Sequence, residues 1–250
     1  MCLLIAFFKK TPDYPLIIAA NREELYSRPS TTPHLVIQEP QIWAGMDQKA
    51  GGTWLGANQF GLVVGITNRS TKSLNPSLRS RGLLCLDILK ENSAKNADIK
   101  LSQITGNTRF NPFNLFYADR NTAYLALYDG ELLSQEIEPG IHMVTSSEFD
   151  QPILEKMNHV QELIDILPGQ FDDQYLSDLM NLLKNHSSDP PTKYSICSHA
   201  GEAGTVSSSI IAIHDKFPEY SHFYHTDGPP CRTAFKDYSR LFHGEEIHAK

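Results

Sequence analysis

The chain has 250 residues, of which 40% are hydrophobic and 20% charged, and a formal net charge of −7. This composition excludes collagen-like, coiled-coil and disordered chains, and the acidic balance argues against a nucleic-acid binder. The length predicts one domain over residues 1–250. No apolar run approaches the roughly 20 residues of a membrane span, and the first basic residues follow the first apolar run. We therefore expect a cytoplasmic protein without an integral membrane segment.

Apolar runs separated by turn residues predict strands in the first part of the chain. Leu3–Phe8 and 16–20 are predicted to form one hairpin, and 54–57 and 62–67 a second hairpin. Both faces of these runs are apolar, which is typical of strands that are buried on both sides. A helix is predicted over 80–90 because leucines and isoleucines dominate it.

The second part of the chain alternates between short strands and amphipathic helices. Strands are predicted at 114–118, Ala123–Tyr128, 131–136, 141–145, 206–213 and 222–225. Two helices are predicted between them, one beginning near Asp150 and continuing over 153–167, the other over 175–184. This order favours antiparallel sheets with segregated helices over a parallel βαβ arrangement.

Charge is distributed unevenly along the chain. Between Asp47 and Asp87 there is no acidic residue, and the same segment carries five cations: Lys49, Arg69, Lys72, Arg79 and Arg81. Residues 131–189 contain twelve acids against two lysines. The pattern fits either two differently solvated faces or a local anion site, since guanidinium groups suit carboxylates and phosphates.

The cysteines and histidines show no recognisable metal-ligand spacing, and we expect no metal site. The four cysteines (Cys2, Cys85, Cys197 and Cys231) are predicted to be reduced thiols. His214, His222 and His225 match no metal-ligand pattern, and surface or core positions are the favoured interpretation for them. Cys2 is distinctive because removal of Met1 would leave it with a free α-amine that can act as base for its own thiol. A small buried thiol is the alternative.

Several motifs occur together in the first eighty residues. They are Met1-Cys2, the segment ANREELYSRP at 20–29, WAGMD at 43–47, GGTWLG at 51–56 and TNR at 67–69. In this combination the chain closely resembles the NRDE family, which includes the transport-and-Golgi-organisation type. Weaker matches at 80–82, 113–115 and 207–208 extend the resemblance over nearly the whole chain.

The resemblance implies an α+β fold, the four-layer αββα sandwich of N-terminal-nucleophile (Ntn) hydrolases such as the penicillin V acylases and bile-salt hydrolases. Cys2 would then be the nucleophile, and Asn68 would supply an oxyanion-hole amide. Asn21 and Glu23 would lie in the loop after the second strand, where those hydrolases keep an Asn-x-Asp. Three residues depart from the family pattern and disfavour efficient amide hydrolysis: Glu23 in place of Asp, Ser146 in place of Asn and Val206 in place of Arg.

The resemblance also implies a function, because the family is associated with haem trafficking and acyl-coenzyme A binding. We therefore predict cytosolic binding and trafficking of an amphipathic anionic ligand, haem first and acyl-coenzyme A second, with no required cofactor. Under the haem hypothesis, His214, His222 and His225 could serve as axial ligands, although surface or core positions are the favoured interpretation. The predicted ligand-binding residues are Arg22, Glu24, Arg28, Trp54, Arg69, Arg79 and Arg81. The alternative is a cysteine amidohydrolase that uses Cys2 on linear C–N bonds. A scaffold without a ligand would leave the basic cluster unexplained.

Two geometric expectations follow. Cys2 should lie at the end of the first strand, with Asn68 within about 10 Å of its sulfur, if both serve one site. Arg22 should form a buried ion pair with Glu23 or Glu24, because an unpaired guanidinium near an apolar sheet would be costly to desolvate.

Overall fold

Two antiparallel β-sheets form the middle of the molecule in a computed structural model that describes residues 2–69, 74–145, 151–186 and 190–244. The strands are β1 (Leu3–Phe8), β2 (Leu16–Leu25), β3 (His34–Gln38), β4 (Gln41–Ala44), β5 (Leu55–Asn58), β6 (Val63–Asn68), β7 (Phe113–Ala118), β8 (Ala123–Tyr128), β9 (Leu132–Glu136), β10 (Gly140–Thr145), β11 (His199–Ala200), β12 (Ala203–Ile213), β13 (His222–Thr226) and β14 (Lys236–Asp237). The helices are α1 (Arg81–Ile88), α2 (Ala94–Asn107), α3 (Gln151–Asp165) and α4 (Asp173–Lys184), with a 3₁₀ turn at Ser239–His243.

All strand pairs of the two sheets are antiparallel, and the second sheet keeps its strands in chain order. The first sheet runs β10-β1-β2-β12-β13-β14, with β11 paired to β12, and the second runs from β3 to β9 in chain order. The sheets stack face to face, with α1 and α2 outside the second sheet and α3 and α4 outside the first. This is the predicted four-layer αββα sandwich, and the prediction is confirmed.

The sequence of β1 is apolar without interruption because both faces of the strand are buried. Successive side chains of a strand point to opposite faces of the sheet. Leu4, Ala6 and Phe8 enter the core between the two sheets, whereas Leu3, Ile5 and Phe7 enter the core beneath α3 and α4. Each face of the strand therefore contacts a different apolar layer.

Both predicted hairpins are confirmed. β1 pairs with β2 from Leu3↔Asn21 to Phe8↔Leu16, and β5 pairs with β6. The strands and helices predicted in the second part of the chain are also found. Ser146 and Asp150, like Met1 and Lys72, lie outside the described residues. No helix in the described part of the chain combines the length and apolar character that a bilayer crossing requires.

The second strand corrects one expectation. The sequence predicts its end at residue 20, with Asn21 and Glu23 in the loop that follows, but β2 continues to Leu25. The continuation is possible because β12 pairs with β2 beyond the last β1 pair at Asn21, through Ser207↔Arg22 and Thr205↔Glu23. The backbone of this polar segment is therefore fixed by sheet hydrogen bonds.

Candidate functional site

A cleft of about 410 Å³ opens beside Cys2, between the first sheet, the Gly-rich segment before β5 and the start of α1. Its lining includes nine of the predicted site residues: Cys2, Arg22, Glu23, Glu24, Arg28, Trp54, Asn68, Arg79 and Arg81. A hollow of about 20 Å³ also reaches Cys2, and its other lining residues are Asn21, Arg22, Thr67 and apolar residues of both sheets. The motifs that are separate in the sequence thus converge on one place.

Cys2 directly precedes β1, and its Sγ lies 3.8 Å from the backbone oxygen of Glu23 on the neighbouring strand. Burial raises the pKa of the Cys2 thiol, whereas the positive charge of Arg22 acts in the opposite direction. The protonated thiol therefore predominates at neutral pH, and nucleophilic chemistry at this position needs a base.

Asn68 ends β6 and lines the same cleft as Cys2. The neighbouring Asn114 donates through its Nδ2 to the Thr145 carbonyl at 2.8 Å and to Thr67 Oγ1 at 3.1 Å. These bonds hold the end of β10, which precedes Ser146, against β6. The expected separation of about 10 Å between Asn68 and the Cys2 sulfur remains a prediction.

The Asn21 side chain is occupied by structural hydrogen bonds. Its Nδ2 donates to the carbonyls of Leu183 at 3.0 Å and Ile196 at 2.8 Å, and its Oδ1 accepts from Ser208 Oγ. Asn21 thereby joins β2 to the end of α4 and to the segment that precedes β11. In this arrangement it positions the backbone around the cleft.

Glu23 forms a buried ion pair with Lys156 of α3, at 3.3 Å from Oε1 to Nζ, with side-chain exposures of 3% and 1%. Burial raises the pKa of Glu23, and the charge of Lys156 acts against that increase. Sequence reasoning missed Lys156. The available signal was a lone lysine among the apolar positions Ile153, Met157 and Val160 of a helix.

Arg22 is buried, as expected, but the predicted partner is wrong. Its guanidinium pairs with Asp47 at 3.4 Å and lies 4.2 Å from the centroid of the Trp54 ring. Glu23 points to the other face of β2, since neighbouring residues of a strand alternate. Glu24 pairs with Arg28 at 3.4 Å. Asp47 belongs to the 43–47 motif, but its role could not be assigned from the sequence.

Asp47 connects two of the arginines of the cleft. Its Oδ2 accepts from Arg28 Nε at 2.7 Å as well as from Arg22. Burial would raise the pKa of Asp47, but hydrogen bonds from the Ala50 N–H and from Arg28 outweigh it and lower the pKa. Asp47 therefore remains a carboxylate and fixes both guanidinium groups.

Three further arginines were predicted to bind the ligand. Arg79 pairs with Asp87 at 2.6 Å, and Arg81 donates to the Pro112 carbonyl at 2.8 Å. Burial lowers the pKa of Arg81, although a guanidinium remains charged at neutral pH. Arg69 donates to Asn114 Oδ1 at 3.4 Å and is not among the described residues that line the cleft.

The histidines considered as haem ligands lie elsewhere. His225 is buried in β13 with its Nδ1 2.9 Å from Ser209 Oγ, and burial lowers its pKa to about 3. His222 stacks on Tyr14, and His214 packs against the same ring edge to face. Among the described residues, none of these histidines lines the cleft beside Cys2.

Solved structures with the same arrangement define the class of fold. The penicillin V acylase from Agrobacterium tumefaciens superposes with a TM-score of 0.60 at 10% identity, over 96% of this chain and 88% of the acylase. The Caenorhabditis elegans ortholog of N-acylethanolamine-hydrolyzing acid amidase gives 0.58 at 11% identity, over 87% and 94%. A mutant conjugated bile acid hydrolase from Clostridium perfringens gives 0.55 at 11% identity, over 99% and 96%. The fold is that of the Ntn hydrolases.

The family follows from the sequence comparison. Residues 1–227 match the family model "Transport and Golgi organisation 2", and the chain belongs to that family. The human Transport and Golgi organization protein 2 homolog is 36% identical over 132 residues, which cover 49% of this chain and 47% of the human protein. The mouse homolog is 35% identical over the same shares. The match thus spans about half the length of these relatives.

Proposed function

We propose that the cleft beside Cys2 binds an amphipathic anionic ligand, haem first and acyl-coenzyme A second, and that the protein carries this ligand. The charge of the lining supports the proposal. Five cationic residues and three acidic ones line the described part of the cleft, in a chain whose net charge is −7. The carboxylate of one of these acids, Glu23, is turned towards Lys156 on the other face of β2. A local positive excess in an acidic protein favours an anion at this place.

The ion pairs of the cleft indicate which cations are available to a ligand. Asp47 and Glu24 are held by Arg22 and Arg28, and Glu23 is held by Lys156. No described carboxylate lies within ion-pair distance of Arg81 or Lys49. A local excess of two positive charges matches the two propionates of haem more closely than the larger charge of coenzyme A, and haem is therefore placed first.

The size and surface of the cleft are compatible with such a ligand. Small-molecule sites in proteins measure about 300–1,000 Å³ and combine apolar walls with a few fixed polar groups. Here Trp54, Ile66 and Leu78 supply apolar surface beside the arginines. Cys2 is the one soft iron ligand among the described lining residues, so an axial bond to haem iron within the cleft would come from its sulfur.

The decisive variant is Arg81→Gln, with Arg109→Gln as a matched control, because Arg109 lines a separate hollow beside Gly130. Haem binding is followed by the Soret band, and acyl-coenzyme A binding by calorimetry. We expect Arg81→Gln to weaken the anionic ligand by at least about 10-fold, the loss of one charge-assisted hydrogen bond. Arg109→Gln should bind like the wild type. Equal affinities of wild type and Arg81→Gln, at equal thermal stability, would overturn the proposal.

A second candidate function is hydrolysis of a linear amide with Cys2 as the nucleophile. It is favoured by one observation, the presence of the Cys2 thiol and Asn68 in one cleft. If the protein is a carrier, Cys2→Ala should leave the affinity for acyl-coenzyme A nearly unchanged. Neither the wild type nor the Cys2→Ala variant should then show amidase turnover. An amidohydrolase predicts turnover that disappears in Cys2→Ala while substrate binding persists, since a nucleophile acts in the chemical step. That second outcome would replace the carrier with an enzyme.

A further inference from the structure

Two cysteines and two histidines from three segments of the chain meet at the outer end of the first sheet. His186 follows α4, Cys197 lies two residues before β11, His199 begins β11, and Cys231 lies in the segment after β13. Their potential ligand atoms all lie within 4.8 Å of one another. None of the four is among the described residues that line the cleft beside Cys2, so this cluster is a separate feature.

The distances within the cluster resemble those around a tetrahedral ion. Bond lengths of about 2.3 Å to sulfur and 2.0–2.1 Å to nitrogen place neighbouring ligand atoms of a tetrahedral zinc roughly 3.3–3.8 Å apart. His199 Nε2 lies 3.3 Å from Cys231 Sγ and 3.7 Å from Cys197 Sγ. These two separations already have the required size, and rotation of side chains can shorten the others.

His186 supplies a second, independent observation. Its Nε2 is buried and has no hydrogen-bond partner in the part of the chain that the structure describes. A buried polar atom left unsatisfied is costly, and such atoms in native structures call for an explanation. The His186 ring packs edge to face against His199, with centroids 5.4 Å apart. A metal ion bound by both rings would satisfy this nitrogen.

The outer nitrogen of His199 is oriented as metal-binding histidines require. Its Nδ1 lies 3.2 Å from Tyr26 Oη, which leaves Nε2 to face the cysteines. Histidine ligands usually donate their second N–H to an oxygen that fixes the ring and its tautomer. Tyr26 fits there because residue 204 is a glycine: a Cβ on Gly204 would lie 2.2 Å from Tyr26 Oη.

We propose that His186, Cys197, His199 and Cys231 bind one Zn²⁺ ion in a closed, structural Cys₂His₂ site. Two thiolates and two neutral imidazoles in tetrahedral arrangement are the ligand set that selects zinc over harder cations. Binding releases the two thiol protons to solvent and leaves the oxidation states unchanged. The ion would join the end of α4 to β11 and to the segment after β13.

The first experiment measures metal content in the full chain, purified without a histidine tag from zinc-supplemented medium. We expect one equivalent of zinc in the wild type and in two matched controls, Cys85→Ala and His243→Ala, which change a buried cysteine and an exposed histidine outside the cluster. Cys197→Ser, Cys231→Ser and His186→Ala should lose most of the zinc. Retention of one equivalent by all three variants, or no zinc in the folded wild type, would overturn the proposal.

A second measurement on the wild type covers the case in which the cysteine variants do not fold. Replacement of zinc by Co²⁺ should give the visible bands of a tetrahedral ion and a thiolate-to-cobalt charge-transfer band. Tyr26→Phe should weaken zinc affinity about 10–100-fold, as the loss of a partner that orients a histidine ligand does. An octahedral cobalt spectrum, or a Cys197–Cys231 disulfide in protein purified without reductant, would contradict the site.

Discussion

At the scale of single residues, neighbouring side chains of β2 perform different tasks because the strand sends them to opposite sides. Arg22 contacts Asp47 and Trp54 at the cleft, and Glu23 pairs with Lys156 beneath α3. The alternating geometry of a strand thus explains why adjacent opposite charges do not pair here. The same alternation gives Glu23 a structural role in addition to its place in the cleft.

The Glu23–Lys156 pair leads to a stability prediction. Glu23→Gln removes the negative charge opposite a buried ammonium, and the free energy of unfolding should fall by about 3–5 kcal/mol. Adding Lys156→Met should restore most of the loss, because an uncharged pair needs no desolvation of ions. Urea denaturation measures both. Lys90→Met, which breaks the partly exposed Lys90–Asp87 pair, should cost less than about 1 kcal/mol. A Glu23→Gln loss as small as that of Lys90→Met would contradict this account.

His225 leads to a pH prediction. Burial first, and the charge of Arg22 second, lower its pKa to about 3 in the folded state. An unfolded histidine titrates near 6.5, so acidification below about pH 6.5 protonates only the unfolded chain. The free energy of unfolding should therefore fall by up to about 1.4 kcal/mol per pH unit between about pH 6 and 3 through this residue.

The measurement is the pH dependence of urea unfolding for the wild type and for His225→Gln. The variant should show a shallower decline over that pH range, whatever its stability at pH 7. His34→Gln, at an exposed position, should keep the slope of the wild type. Parallel curves for wild type and His225→Gln would show that His225 is not held neutral.

At the scale of elements, the start of α1 is placed against the Gly-rich segment by a contact between two backbones. A Cβ on Gly52 would lie 2.1 Å from the carbonyl carbon of Gly82, and the Thr53 N–H donates to the Gly82 carbonyl at 3.1 Å. Only residues without a side chain allow this approach. The contact sets the position of Arg81, which begins α1 and lines the cleft.

Gly52→Ala should therefore displace α1, because backbone atoms cannot move aside as a side chain can. We expect the free energy of unfolding to fall by about 1–3 kcal/mol and an anionic ligand to bind more weakly. Gly106→Ala is the control, since Gly106 lies in α2 and a Cβ added there would have no neighbouring atom within 4 Å. That variant should be about 0.5–1 kcal/mol more stable than the wild type. Thermal unfolding measures the stability of both variants, and the Soret titration measures their affinity for haem. A Gly52→Ala variant as stable as the wild type would refute the contact.

The elements that sequence reasoning missed have a common physical cause. Helix α2 buries only Ala94, Ala97 and Leu101, so its apolar stripe is too weak to stand out in the sequence. Its one local signal was Ser93, whose side chain accepts from the Asn96 N–H as an N-cap. Strand β3 has no fully buried residue. By contrast, β1 is buried on both faces and its sequence is entirely apolar. The hairpin of β5 and β6 is polar only at Asn58, Thr67 and Asn68.

At the scale of the whole molecule, the stacked sheets predict where the fold is most resistant to opening. β1, β2, β6 and β7 each have a strand on both sides and an apolar layer on both faces. Their amides should exchange most slowly with deuterium, at a rate set by global unfolding. Strands β3 and β9 form the edges of the second sheet and should exchange faster. If the amides of β9 exchanged as slowly as those of β1, this predicted order of exchange rates would be wrong.

In the candidate site, residues within short motifs could be predicted from the sequence, whereas their partners from distant segments could not. Cys2 and the arginines could be identified because motifs hold them within short segments. The partners of these residues could not, since Asp47 is 25 positions from Arg22 and Lys156 is 133 positions from Glu23. The Cys/His cluster was missed for that reason, because its four members come together only when α4, β11 and the segment after β13 reach one end of the first sheet.

The position of Cys2 has a practical consequence for anyone who purifies the protein. β1 is fixed between β10 and β2, and the residue before it opens directly into the cleft. An affinity tag joined ahead of Cys2 would begin beside the cleft, close enough to compete with small molecules and to shield the thiol from reagents. Binding assays should therefore use a tag at the other end of the chain, or one that a protease removes completely.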